Sequence, residues 1–164
     1  MKFYIKQKVF SLRDNFDVFD EQQNPVYKVS GKFFSMKNKM ELSNLNGDVL
    51  LSSEKKVFSF RPTYFIFDQH GTQIAKVKQK FSLRPKFEVS IYNQAAEISG
   101  NFFQRTFDVN VPGGVAASIR KKVFSFGDSY EIEINDTENT EIYLYLVIVI
   151  DQVLHERENK GNND

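Results

Sequence analysis

The 164-residue chain contains no cysteine. That absence removes disulfides, thiolate metal sites and thiol nucleophiles together, and it fits a reducing, intracellular setting. An excess of either charge is also missing, because 22 Lys and Arg stand against 21 Asp and Glu for a net +1. The total therefore points neither to a nucleic-acid sink nor to an acidic tail, and only the distribution of charge can carry meaning. Long apolar runs are absent too. The longest, IYLYLVIVI from Ile142 to Ile150, is about half of what a membrane-spanning helix needs. The first residues, MKFYIKQKVF, lack the apolar stretch and small-residue cleavage site of a secretion signal, so the expected location is cytoplasmic. There is no Gly-x-Ser-x-Gly elbow, phosphate-cradling glycine loop or His-Glu-x-x-His, so no catalytic residue, metal or cofactor is expected.

What the chain does have is a repeated phrase. FSLRDNF at Phe10, FSMKNKM at Phe34, FSFRPTY at Phe58, FSLRPKF at Phe81 and FSFGDSY at Phe124 share one pattern, with a degenerate copy, FQRTF, at Phe103. The spacings of 24, 24, 23, 22 and 21 residues mark six structural units. After each motif comes a short alternating run, such as FDVFD, MELS, FEVSIY, FDVNV or YEIEI, with the period of a half-buried strand. Turn chemistry follows at Asn24-Pro25, Asn46-Gly47, His70-Gly71, Asn93-Gln94 and Pro112-Gly113-Gly114. A longer strand then returns to the next motif. The motif is thus read as a corner built on a four-residue type I turn, always at the same end of an up-and-down sheet.

Six pairs make about twelve strands, and a meander of that size leaves two raw edges unless it closes into a barrel. Twelve strands enclose a lumen too wide for their own side chains to fill. The segment TEIYLYLVIVIDQVLHE, from Thr140 to Glu156, is apolar all round, which suits a helix surrounded by protein. Its Ile, Val and Tyr favour strands, yet a helix of that length spans roughly 25 Å, comparable to a tilted barrel wall. Asp136, Glu138 and Glu141 precede or open the segment and Arg157 follows it, the charge order that a helix dipole favours. The expected fold is all-β with one helix: a closed twelve-stranded antiparallel barrel of six strand pairs around a buried C-terminal helix. Residues 1–157 form one domain in this reading, and 158–164 a polar, disordered tail.

This pattern, with KFYIKQKVFSLRDNFDVFDEQQNPVYKVSGKFF near the start and IVIDQVLHE at the end, resembles the LURP-one-related family of the Tubby C-terminal-like group, which phospholipid scramblases share. The resemblance runs from Lys2 to Glu156. It implies a non-enzymatic barrel, with phosphoinositide or phospholipid contact in Tubby-type relatives and a link to transcription. Fold analogy alone does not transfer such a function.

Most basic residues lie near corners, so one barrel end is expected to carry a cationic rim. The candidate anion-binding set is Lys8, Arg13, Lys32, Lys37, Lys56, Arg61, Lys80, Arg84 and Lys122. Such a rim can hold anionic phospholipid headgroups or a phosphorylated partner through summed, salt-sensitive attraction. The plainer reading is solvated strand-end lysines that deter aggregation. Asp20, Glu21, Asp48, Asp68, Asp136 and Glu138 fall at the opposite turns, so the molecule is expected to be electrically polar. Strand parity puts Phe3, Ile5 and Val9, or Tyr27, Val29 and Phe33, inward. It puts Lys8, Phe10 and Leu12, Lys32, Phe34 and Met36, and Lys56, Phe58 and Phe60 outward. Packing in the core is the weightier role for these phenylalanines, and a headgroup interface the lesser. Asp151 and His155 share one side of the helix. Two such ligands do not specify a metal site, and an internal hydrogen-bonded pair closing the barrel mouth is the expectation. The alternatives are a protein-interaction barrel, a nucleic-acid binder using the same rim, a small-molecule-binding barrel, and an enzyme assembled from scattered residues. Balanced charge argues against nucleic acid, and a plugged lumen argues against a small molecule.

Overall fold

A computed structural model describes the backbone of residues 1–6, 15–32, 38–124 and 127–161, and the side chains of these except 32, 123–124, 127–128 and 158–161. Twelve strands follow one another: β1 Lys2–Lys6, β2 Phe16–Phe19, β3 Pro25–Lys32, β4 Lys39–Ser43, β5 Val49–Lys55 and β6 Thr63–Asp68. The second half is β7 Gln73–Gln79, β8 Phe87–Ile91, β9 Gln94–Asn101, β10 Thr106–Val111, β11 Gly114–Phe124 and β12 Gly127–Ile134. Each pairs antiparallel with its neighbours in sequence, and β1 closes the ring on β12 through pairs such as Phe3↔Ile132 and Ile5↔Tyr130. The last element, α1, is a helix over Thr140–Gly161. It runs beyond Glu156, where the apolar pattern stops.

Alternation sets which face points inward. Phe3, Ile5, Val18, Val29, Met40 and Leu42 are all buried along the first four strands, as period-two parity predicts for Phe3, Ile5 and Val29. Tyr27 is half-buried, while Val9 and Phe33 lie outside the described residues. Inside the ring, every residue of α1 from Ile142 to Leu154 is buried. Tertiary need overrides the strand preference of Ile and Val: the apolar cylinder Ile142–Ile150 satisfies its own backbone bonds and presents grease in all directions. The strands closest to α1 include β5, β7, β11 and β12. They bring small buried side chains, Ser53, Ala75, Ala116 and Ala117, so the helix can approach the wall closely.

The hairpin turns fall where the sequence places them, and their acids have local work. Asp20 Oδ1 accepts the backbone N–H groups of Gln22 and Asn24 at 2.9 and 2.8 Å. Asp68 Oδ1 does the same for His70 and Thr72, also at 2.9 and 2.8 Å. These are side chains standing in for backbone acceptors in tight turns. The first residues of α1 lie at this end too, since Asn135 N bonds Ala116 O at 2.8 Å.

The corners differ from expectation. Instead of type I turns inside the motif, β5–β6 and β7–β8 are joined by loops over residues 56–62 and 80–86. In the first of these, Ser59 Oγ donates to Arg61 O at 2.6 Å, and Thr63 Oγ1 donates to the same carbonyl at 3.0 Å. The loop is therefore tied by its own hydroxyls, with Phe58 in a left-handed conformation at φ 59°. The serine of the repeated Phe-Ser pair has a structural reason here. The corners at Phe10, Phe34 and Phe124 lie wholly or partly outside the described residues. The degenerate copy at Phe103 forms a 3-10 turn, Phe102–Gln104, closed by Arg105 at φ 51°.

Candidate functional site

The corner end is where cations, exposed rings and the end of α1 meet. Its base is a buried polar lock. Glu156 accepts hydrogen bonds from Lys55 Nζ at 2.6 Å, Asn38 Nδ2 at 2.7 Å and Gln152 Nε2 at 3.3 Å, and also from the Tyr64 hydroxyl. Burial pushes the Glu156 carboxyl up, but the bonds from Lys55, Tyr64 and Asn38 and the Lys55 charge outweigh it and hold it below its ordinary value. Tyr64 is driven strongly upward by burial and by the facing carboxylate. On another side of the helix, Asp151 takes Arg105 Nη1 at 2.6 Å. Arg157 Nη2 donates to the carbonyls of Ser82 and Leu83 at 3.0 and 3.1 Å. Four corners are thus fastened to α1 by charge-assisted bonds.

Above this base, five large apolar side chains point into solvent: Phe58 is 95% exposed, Phe60 99%, Phe81 78%, Leu83 98% and Phe103 74%. The expectation of core packing is corrected for Phe58 and Phe60. Their loop lifts them off the wall, so outward parity holds and burial does not. Phe10, Leu12, Phe34 and Met36 lie outside the described residues.

Of the candidate cations, Lys56, Lys80 and Arg84 are exposed on these loops. Arg61 is half-buried, with its guanidinium 5.3 Å from the centre of the Phe81 ring, which joins the two corners by a cation–π contact. Lys86, which the candidate set omitted, is exposed beside them. Lys122 lies on the barrel wall, 3.6 Å from Glu131, which Lys2 also approaches at 3.5 Å. Lys32 ends β3, and nothing is described of its side chain; Lys8, Arg13 and Lys37 lie outside the described residues. The structure therefore brings four of the nine candidates together.

Two hollows open at this end. A pocket of about 220 Å³ is lined by Arg61, Lys80, Phe81, Ser82 and Arg157, among others. A larger cleft of about 760 Å³ lies between the β7–β8 corner and β9, with Lys80, Arg84, Lys86, Phe87, Ile98 and Phe102 among its walls. The lumen itself is occupied by α1, so the small-molecule-binding barrel loses its container. No helix among the described residues is long and apolar enough to cross a membrane.

The fold defines a class: a closed antiparallel barrel plugged by its own C-terminal helix. The chain belongs to the LURP-one-related family, whose family model matches residues 1–151. It is 33% identical over 161 residues to the uncharacterized protein YxjI of Bacillus subtilis (strain 168), covering 98% of both chains. The X-ray structure of a protein from Arabidopsis thaliana shares the fold, with a TM-score of 0.61 at 18% identity over 92% of this chain and 89% of that one. Family and fold support a binding-type module.

Proposed function

We infer that the chain is a non-enzymatic binding module whose corner end rests on membranes carrying anionic phospholipids. The observation that carries this reading is the concentration of five exposed apolar side chains on three neighbouring corners, interleaved with Lys56, Arg61, Lys80, Arg84 and Lys86. Scattered exposed hydrophobes are ordinary, but a cluster at loop tips is not. Solvated guard lysines account for the charge and leave the phenylalanines without a reason.

Magnitudes are adequate. Each basic residue near an anionic surface contributes about 1 kcal/mol. Each fully exposed Phe or Leu that leaves water contributes about 1.5–3 kcal/mol. Two inserted tips and the five cations together outweigh the ordering of three loops that already hold their own hydrogen bonds. Cations beside aromatic rings also suit single-stranded nucleic acid. That reading needs a continuous row of rings on which successive bases stack, whereas the exposed rings are divided among three corners and Leu83 offers no ring.

Flotation with neutral phosphatidylcholine vesicles, and with vesicles containing phosphatidylserine or a phosphatidylinositol phosphate, tests the proposal. Binding is expected only with anionic lipid, and to weaken in high salt. Equal binding to neutral vesicles, or none to any, would falsify it.

A further inference from the structure

The ring of strands is closed, but the seam between β8 and β9 is only half sewn. Among the described residues the β8–β9 ladder consists of Val89↔Ala96, Ser90↔Ala95 and Ile91↔Gln94. Beyond these pairs β9 continues as Glu97–Asn101, bonded on its far side to β10 through pairs from Glu97↔Asn110 to Asn101↔Thr106. On the near side Phe87 and Glu88 of β8 pair only with β7, opposite Gln79 and Lys78. The 760 Å³ cleft lies where β8 and β9 part. In an antiparallel strand, alternate residues direct their N–H and C=O to opposite neighbours. The stretch 97–101 therefore turns a row of backbone donors and acceptors toward the cleft. From Glu97 to Asn101 every residue is exposed except Ile98, which is half-buried against the core.

We propose that this cleft binds an extended acidic peptide segment, which adds as a strand to the open edge of β9. Three features select that occupant. The edge supplies hydrogen-bonding groups at the two-residue repeat of a strand, over roughly 16 Å. A peptide backbone matches this repeat; an acyl chain covers the same groups without bonding them, which is costly. The facing wall carries Lys80, Arg84 and Lys86 against the single carboxylate of Glu97, so acidic side chains at alternate positions find partners. Apolar side chains of the opposite parity meet Phe87, Ile98 and Phe102. A second copy of this chain is disfavoured, because edge-to-edge pairing brings two sets of these cations together.

The cleft shares Lys80, Arg84 and Lys86 with the membrane reading, and the test separates the two. The probe is an end-capped octapeptide of alternating Glu and Val, added to the intact chain, with hydrogen exchange of the β9 amides and titration calorimetry as readouts. Exchange at the alternate amides of Glu97–Asn101 that face the cleft is expected to slow, and Arg84→Glu with Lys86→Glu to weaken binding about tenfold or more. The same peptide N-methylated at alternate residues, which leaves the protein untouched, is expected to lose protection. Absence of binding at millimolar peptide, or equal binding of the methylated peptide, overturns the proposal. Protection by dihexanoyl phosphatidylserine but not by the peptide also overturns it, and assigns the cleft to a lipid headgroup.

Discussion

The Lys55 ammonium lies 2.6 Å from a carboxylate oxygen of Glu156, joining the end of β5 to the last turns of α1 where the barrel opens. Neither group is fully desolvated, with 21% and 14% of the side chains exposed, so the pair is intermediate between a surface bridge and a buried one. Its value is positional. The same carboxylate binds Asn38 and Tyr64, so one side chain gathers β6, the β3–β4 corner and the helix.

Acid is expected to loosen this lock. The folded-state pKa of Glu156 lies below its ordinary 4.5. The stability it contributes is therefore complete above the unfolded-state value and is lost as pH falls through the folded one. Urea unfolding of Glu156→Gln at neutral pH should show a loss of about 1–3 kcal/mol. The variant should also show a shallower decline than the parent below about pH 4.5. A parallel decline contradicts the assignment.

The plug carries the barrel's stability. Leu146 and Ile150 are both fully buried on α1, and either change to Ala should cost about 2–5 kcal/mol, because a rigid wall cannot collapse onto the void. Tyr145 presents a second check. Its hydroxyl donates to Met40 O at 2.6 Å and lies 2.9 Å from Ser53 Oγ. Tyr145→Phe should lose about 1–2 kcal/mol by leaving the Met40 carbonyl without this donor and the Ser53 hydroxyl without this acceptor. Thermal unfolding of the three variants measures both effects.

Exposed rings should be dispensable for folding. Phe60→Ser and Leu83→Ser are expected to change stability by less than about 0.5 kcal/mol, while vesicle binding falls. Lys56→Gln with Arg84→Gln should instead flatten the salt dependence of binding. Loss of stability in the serine variants points to packing that the exposure does not reveal.

Much of this was legible in the sequence, and the limits have physical causes. Strand number, closure, plug and helix polarity follow from period and from the apolar run Ile142–Ile150, because burial on every side leaves a signature in each residue. The lock does not, since Lys55 and Glu156 are 101 residues apart and each reads locally as a solvated charge. Sequence alone favours the core for Phe58 and Phe60, because hydrophobicity does not distinguish a ring that packs from one displayed on a loop; the turn-forming Ser59 between them is the local clue. The open seam beside β9 also had a trace. It coincides with the one corner whose motif had decayed, FQRTF at Phe103, where Arg105 is committed to Asp151.

The chain has no tryptophan, so a single one reports its own surroundings. Phe60→Trp places it at the corner tips, and Leu45→Trp, 49% exposed in the wild type, places it at the opposite end. With phosphatidylserine vesicles the account predicts a blue shift and slower iodide quenching at position 60 and neither at position 45. Equal shifts at both ends, or a shift only at 45, contradict it.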